Sequence, residues 1–168
     1  MSDVLLAANM TILQVFQRLK VGQWLWVIEA YWRLWPIVLR IKVKQQRWLL
    51  SQFNSVDRAD TMNCSQYHKA NDMHESVRIA ARLHFMPSEC LPRSIALRQM
   101  LRARGYDAEL ILGVMIPEQT TQIDAITNPL ISSHAWVEVA GLVVGEAKSE
   151  IDNFNKITVP LRIDKQES

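Results

Sequence analysis

The hydrophobic pattern of this chain changes period near Gly105, and that change bounds the folds open to it. Before it, apolar residues recur every three to five positions: Leu13, Phe16, Leu19, Trp24, Ile28, Tyr31 and Trp35, then Met73, Val77, Ala80, Ala81 and His84. After it come short runs rich in Val, Ile and Leu, bounded by Gly, Pro and Asn: Ala108 to Ile116, His134 to Val139 and Leu142 to Glu146, with Ile157 to Ile163 a further candidate. Helices first and strands afterwards predict an α+β fold. The 168 residues suit one domain with a modest core, and 49% apolar content excludes a disordered chain.

Within the helical half, Gly22 and Pro36 predict breaks, and Val38 to Phe53 resumes the helix with Lys42, Lys44 and Arg47 on its polar side. Asn54 to Gln66 is rich in Asn, Asp and Ser and reads as a linker. Helical character returns over Tyr67 to Phe85 and stops at Met86-Pro87-Ser88. Leu91 to Arg104 is a strong helix closed by Gly105. Pro117 to Ser133 is a long polar loop between two strands, a length often associated with function. The expected division is a helical, Trp-rich N-terminal region over residues 1–60 and a core over 61–168.

Several classes are disfavoured at once. A formal charge of +2 gives no bulk electrostatic case for nucleic acid or anionic lipid. Arg93, Arg98, Arg102 and Arg104 are expected to form a solvated basic face, since no nucleic-acid motif accompanies them. Two cysteines make no disulfide framework. Met1 to Ala8 lacks the basic start of a signal peptide, and Gly22 to Ile41 is interrupted by Glu29, Arg33 and Arg40, so no membrane span and a cytoplasmic location are expected. Cys64, His68 and His74 match no zinc spacing, so no metal is expected.

The residues that carry chemistry begin with Cys90. Pro92 is best tolerated at the first helical position, which places Cys90 at or just before a helix N-terminus. There the helix dipole and unpaired N–H groups favour the thiolate, the form that attacks carbonyls, and the same N–H groups suit an oxyanion. Cys90, Ser94, Leu97 and Leu101 share one stripe. The competing reading is a buried structural cysteine, the commoner use of a lone thiol. His134 opens a strand whose alternation sets His134, Trp136 and Glu138 on one face and Ala135, Val137 and Val139 on the other. The second set is apolar, which leaves His134 on the face an active site can use; a satisfied histidine is the plainer alternative.

A base needs an orienting group. Gly141 predicts a three-residue turn, Val139-Ala140-Gly141, with glycine in the left-handed position; that register sets Glu138 opposite Leu142 and His134 opposite Glu146, whereas a two-residue turn would put Glu146 on the wrong face. A solvated strand-end charge is the equal alternative for Glu146, and Glu150 and Asp152 are weaker substitutes.

The blocks Cys90-Leu91-Pro92-Arg93-Ser94, Leu101 to Leu110, Gly113-Val114, His134-Ala135-Trp136-Val137-Glu138 and Gly141-Leu142-Val143-Val144 together resemble the lasso-peptide leader peptidases of the transglutaminase-like superfamily, over roughly residues 67–147. The resemblance implies a transglutaminase/papain-like core, a nucleophile helix packed on an antiparallel sheet, preceded by a helical N-terminal region. It implies a cysteine peptidase that removes the leader from a ribosomally made precursor, with Cys90 as nucleophile, His134 as base and no cofactor. The family's usual third member is an aspartate; the matching position here holds Glu146, one methylene longer. The expected partners are the precursor peptide, a separate leader-binding protein and a macrolactam synthetase. Trp26, Trp32, Arg93 and Trp136 are the residues expected to meet substrate or partner, with Arg93 also expected to lower the thiol pKa; core packing is the alternative role of the tryptophans. Two other functions share these residues: an acyltransferase or amidase of transglutaminase type, and a weakly catalytic peptide-binding scaffold.

Overall fold

The computed structural model describes residues 21–43, 46–53, 62–86, 89–115 and 132–157. The expectations for residues 13–20, most of the 54–66 linker, most of the 117–133 loop and residues 158–163 lie outside these. Among the described residues four helices precede the strands: α1 (Val21–Lys42), α2 (Gln46–Ser51), α3 (Cys64–Leu83) and α4 (Cys90–Arg102). Then come β1 (Ala108–Met115), β2 (Ser132–Val139), β3 (Leu142–Val143), a single-turn α5 (Lys148–Ile151) and β4 (Asn155–Ile157). The strands form one antiparallel sheet in the order β3-β2-β1-β4. The α+β expectation holds, with the last strand at 155–157 rather than starting at Ile157.

Helix α1 runs straight through Pro36, where the sequence predicts an interruption. Proline removes the bond to the carbonyl of residue i−4, here Trp32. Both Pro36 and Trp32 lie on the exposed side of the helix, so water can satisfy that carbonyl. Helix α3 starts three residues earlier than expected because Asn63 and Gln66 form a capping box, each side chain accepting the other's backbone N–H at 2.9 Å. Helix α4 closes as Gly105 predicts: the Tyr106 and Gly105 N–H groups reach back to the carbonyls of Leu101 and Arg102.

One apolar cluster unites these elements. Val27, Ala30, Leu34 and Ile37 of α1, Met73 and Val77 of α3, and Ile95, Met100 and Leu101 of α4 meet Val137 and Val139 of β2. Leu34 and Ile37 are fully enclosed, so truncating either to Ala should cost about 2–5 kcal/mol. Arg104, after α4, clamps Glu29 of α1 at 2.6 Å and holds its carboxyl below the usual carboxylate range, with Arg33 acting the same way.

The basic helix face is not uniformly solvated. Arg98 is buried, and its Nε donates to the Ala108 carbonyl at 3.2 Å, as Arg102 Nε does at 3.0 Å. Burial pulls the Arg98 pKa down to about 10, with the charge of Arg102 adding to the effect. These two arginines therefore fasten α4 to the start of β1, a use of positive charge that the spacing of basic residues does not reveal.

Candidate active site

Helix α4 begins at Cys90, with Glu89 as its cap residue and Pro92 third in the helix, where its missing N–H is not needed. Cys90 is partly exposed. One turn on, the buried Ser94 hydroxyl donates to the Ala135 carbonyl of β2 at 2.7 Å. That bond ties the cysteine helix to the histidine strand one residue from His134. Cys90, Ser94 and Leu97 line a cleft of about 240 Å³ together with His134, Val137, Val144 and Glu146. Among the described residues no hydrogen bond joins Cys90 to His134 across it.

The imidazole is held from two sides. Its Nε2 lies 2.6 Å from Glu146 Oε2. A carboxylate only accepts, so Nε2 is the donor in this bond, and in a neutral ring the lone pair then lies on Nδ1. Behind the ring stand Trp136, stacked at 6.2 Å, and Phe154 at 5.5 Å. Gly113, which pairs with His134 across β1 and β2, makes room for them: a Cβ there would lie 2.7 Å from both Trp136 and Phe154.

The hairpin that leads to Glu146 differs from the expected one. Ala140 and Gly141 form a two-residue turn, both in the left-handed region with φ of 51° and 73°. Glu138 therefore faces Val143, not Leu142. Strict alternation would then carry Glu146 away from His134. It does not, because β3 ends at Val143 and the chain swings out at Gly145, φ 81°. Glu146 reaches the imidazole from this bend rather than from a strand.

Two further sequence expectations change. Trp136 does not line the cleft: it is 1% exposed, and its Nε1–H donates to Glu138 at 2.8 Å. Glu138 is buried as well and is paired with Lys156 at 2.7 Å. The face that bears Trp136 and Glu138 is covered by the Phe154–Lys156 segment, which alternation within β2 alone cannot foresee. Trp26, expected to meet substrate or partner, is not the most exposed tryptophan of α1. It is half-buried with the Arg104 guanidinium 5.9 Å above its ring, whereas Trp32 is 68% exposed. Arg93 lines the cleft and donates from Nε to the Glu89 carbonyl at 3.1 Å.

His74 is the cleft residue that function-directed reading of the sequence passes over. Cys64 and His68 are exposed, while His74 turns into the cleft. Burial lowers the His74 pKa against the pull of Glu146 and Glu75, and Arg78 and Arg93 push the same way as burial. A signal was present: Tyr67, Asn71 and His74 stand at i, i+4 and i+7, one face of a helix. No helix among the described residues is long and apolar enough to cross a membrane.

Over 131 residues the chain is 27% identical to the microcin J25-processing protein McjB of Escherichia coli, covering 78% of this chain and 54% of the relative. The chain thus spans about half the length of that relative. No solved structure matches. A family model described as transglutaminase-like superfamily matches residues 33–159, from the middle of α1 to just past β4. That stretch takes in the cysteine helix, the histidine strand and the Glu146 bend, and the chain belongs to the transglutaminase-like superfamily.

Proposed function

We propose that this protein is a cysteine peptidase that removes the leader from a ribosomally made lasso precursor peptide. The observation that carries the reading is the cleft shared by Cys90, at a helix start, and the His134–Glu146 pair. The similarity to a protein named for processing microcin J25 supports the substrate class.

In the proposed route His134 takes the thiol proton at Nδ1 and the Cys90 thiolate attacks the leader–core carbonyl. Backbone N–H groups of the first turn of α4 stabilise the oxyanion. The carbon–nitrogen bond then breaks, and the imidazolium gives its proton to the departing amine of the core peptide. The leader is left as a thioester on Cys90. A water, deprotonated by His134, attacks it, the carbon–sulfur bond breaks and the leader leaves as a free acid. Glu146 holds the imidazole in its Nε2–H form and stabilises the cation while it exists.

The partner surface belongs on α1. Leu25, Ile28, Trp32, Trp35 and Leu39 are exposed at spacings of three and four, so they form one apolar stripe. In this reading the stripe receives a separate leader-binding protein, and a macrolactam synthetase acts on the released core. Trp32→Ala should then weaken that association while the half-buried Trp26→Ala mainly lowers stability; equal affinity of Trp32→Ala and the parent would remove the stripe from the interface.

The deciding experiment is mass spectrometry of the precursor incubated with this protein and the leader-binding partner, beside Cys90→Ala. A single cleavage that the variant abolishes is expected. Undiminished cleavage by Cys90→Ala would sink the mechanism, and an amide-linked product in place of the free acid would make the protein an acyltransferase.

A further inference from the structure

We infer that Asn71, with Tyr67 and His74 beside it on α3, is a positioning device that holds the Gly145 bend so that Glu146 reaches His134. The inference rests on the proposed role of the His134–Glu146 pair and adds to it residues on an element that carries neither partner.

The need for such a device follows from the backbone. A strand sets the direction of its side chains by alternation, but β3 ends at Val143, three residues before Glu146. Beyond that point the sheet contributes one bond, from the Val144 N–H to the Val137 carbonyl at 3.0 Å. A left-handed residue follows at Gly145, and a carboxylate on a bend of this kind would sample many directions without outside support.

Helix α3 supplies that support. Tyr67 Oη donates to the Val143 carbonyl at 3.1 Å, and Asn71 Oδ1 accepts the Gly145 N–H at 2.8 Å. The His74 ring lies against Gly145 so closely that no Cβ fits there. Three consecutive residues, 143 to 145, therefore each have a backbone group tied, two of them to one face of α3. The next residue is Glu146. Asn71 makes the bond nearest to it, so loss of that acceptor should loosen the carboxylate most.

Position can be read without substrate. Nitrogen chemical shifts of the His134 imidazole report which ring nitrogen carries the proton, and Glu146 favours Nε2–H. The full-length protein is compared with Asn71→Ala, Asn71→Asp and Glu146→Ala at a pH where the imidazole is neutral, the signal being assigned by its loss in His134→Gln. Asn71→Ala should move the shifts by roughly half or more of the Glu146→Ala displacement, and Asn71→Asp, which keeps an acceptor oxygen, should restore them. Thermal unfolding of each variant shows whether the fold persists. Should Asn71→Ala fail to fold, Tyr67→Phe, which loses one hydroxyl, takes its place with a smaller shift in the same direction. Parental shifts in a folded Asn71→Ala would overturn the inference. This outcome is separable from failure of the peptidase reading, which shows as cleavage by Cys90→Ala and leaves the imidazole spectra untouched.

Discussion

His134 Nε2 and Glu146 Oε2 lie 2.6 Å apart although the hairpin register alone would send Glu146 to the other face of the sheet. The chain corrects the register by leaving the strand early and bending at Gly145. The third member of this candidate site is thus held by tertiary contacts, while the cysteine and the histidine are held by a helix and a strand.

Replacing Glu146 tests how much that arrangement contributes to the proposed reaction. Glu146→Gln has the right length but can also present N–H groups to the ring, so kcat should fall about 10²- to 10⁴-fold. Glu146→Asp removes the methylene that spans the gap from the bend, and a drop of roughly 10- to 100-fold is expected. Single-turnover cleavage of the precursor, followed by mass spectrometry, measures both. Parental rates in the two variants would reduce Glu146 to a surface charge.

Gly145→Ala should disturb the same bond from the backbone side. Alanine meets a left-handed φ of 81° and the His74 ring at once. A loss of about 2–4 kcal/mol in urea unfolding is expected, with weaker His134–Glu146 coupling in the fraction that folds. A neutral result would mean that the bend relaxes at no cost and cannot be what aims Glu146.

Much of the fold can be read from local pattern, and what escapes that reading is non-local. Pro92 marks the start of α4 because first-turn N–H groups have no partner to lose, and the Val-rich alternation after Gly105 marks β1 and β2. The turn at Ala140-Gly141 reads from sequence as three residues, because the two-residue turn that forms requires a non-glycine residue, Ala140, at φ 51°. The buried role of Trp136 depends on Phe154 and Lys156 from far along the chain, and the place of Glu146 depends on Asn71, seventy-four residues before Gly145. Pro36 misleads for the opposite reason: its penalty is local, and on that exposed face water can replace the lost hydrogen bond.

Trp136 is expected to act as a structural residue behind the histidine. Trp136→Phe keeps most of the ring but deprives buried Glu138 of an N–H donor, which should cost about 1–3 kcal/mol. The Lys156 side chain is 56% exposed, so Lys156→Ala should cost less, below about 1 kcal/mol. Thermal unfolding measures the order. In cleavage assays KM should be unchanged in both variants, because neither side chain lines the cleft; a raised KM for Trp136→Phe would return that ring to the substrate side.

His74 should make the cleft sensitive to acid. Its folded-state pKa lies below the ordinary histidine value, chiefly because burial disfavours the cation, with Arg78 and Arg93 acting in the same sense and Glu146 and Glu75 opposing. Between the folded and unfolded pKa values the unfolded chain binds more protons than the folded one, so stability rises with pH through that window. The contribution is complete above about pH 6.5 and is lost progressively as pH falls toward the folded pKa. His74→Gln has no titration to lose, so its urea midpoint should vary less than the parent's as pH falls below about 6.5. The variant also exchanges the ring against Gly145 for an open-chain amide, so its midpoint at neutral pH should be lower than the parent's. Parallel pH profiles for the two proteins would show that the buried imidazole does not titrate in that range; a steeper profile for His74→Gln would reverse the sign and place a charged His74 in the folded cleft.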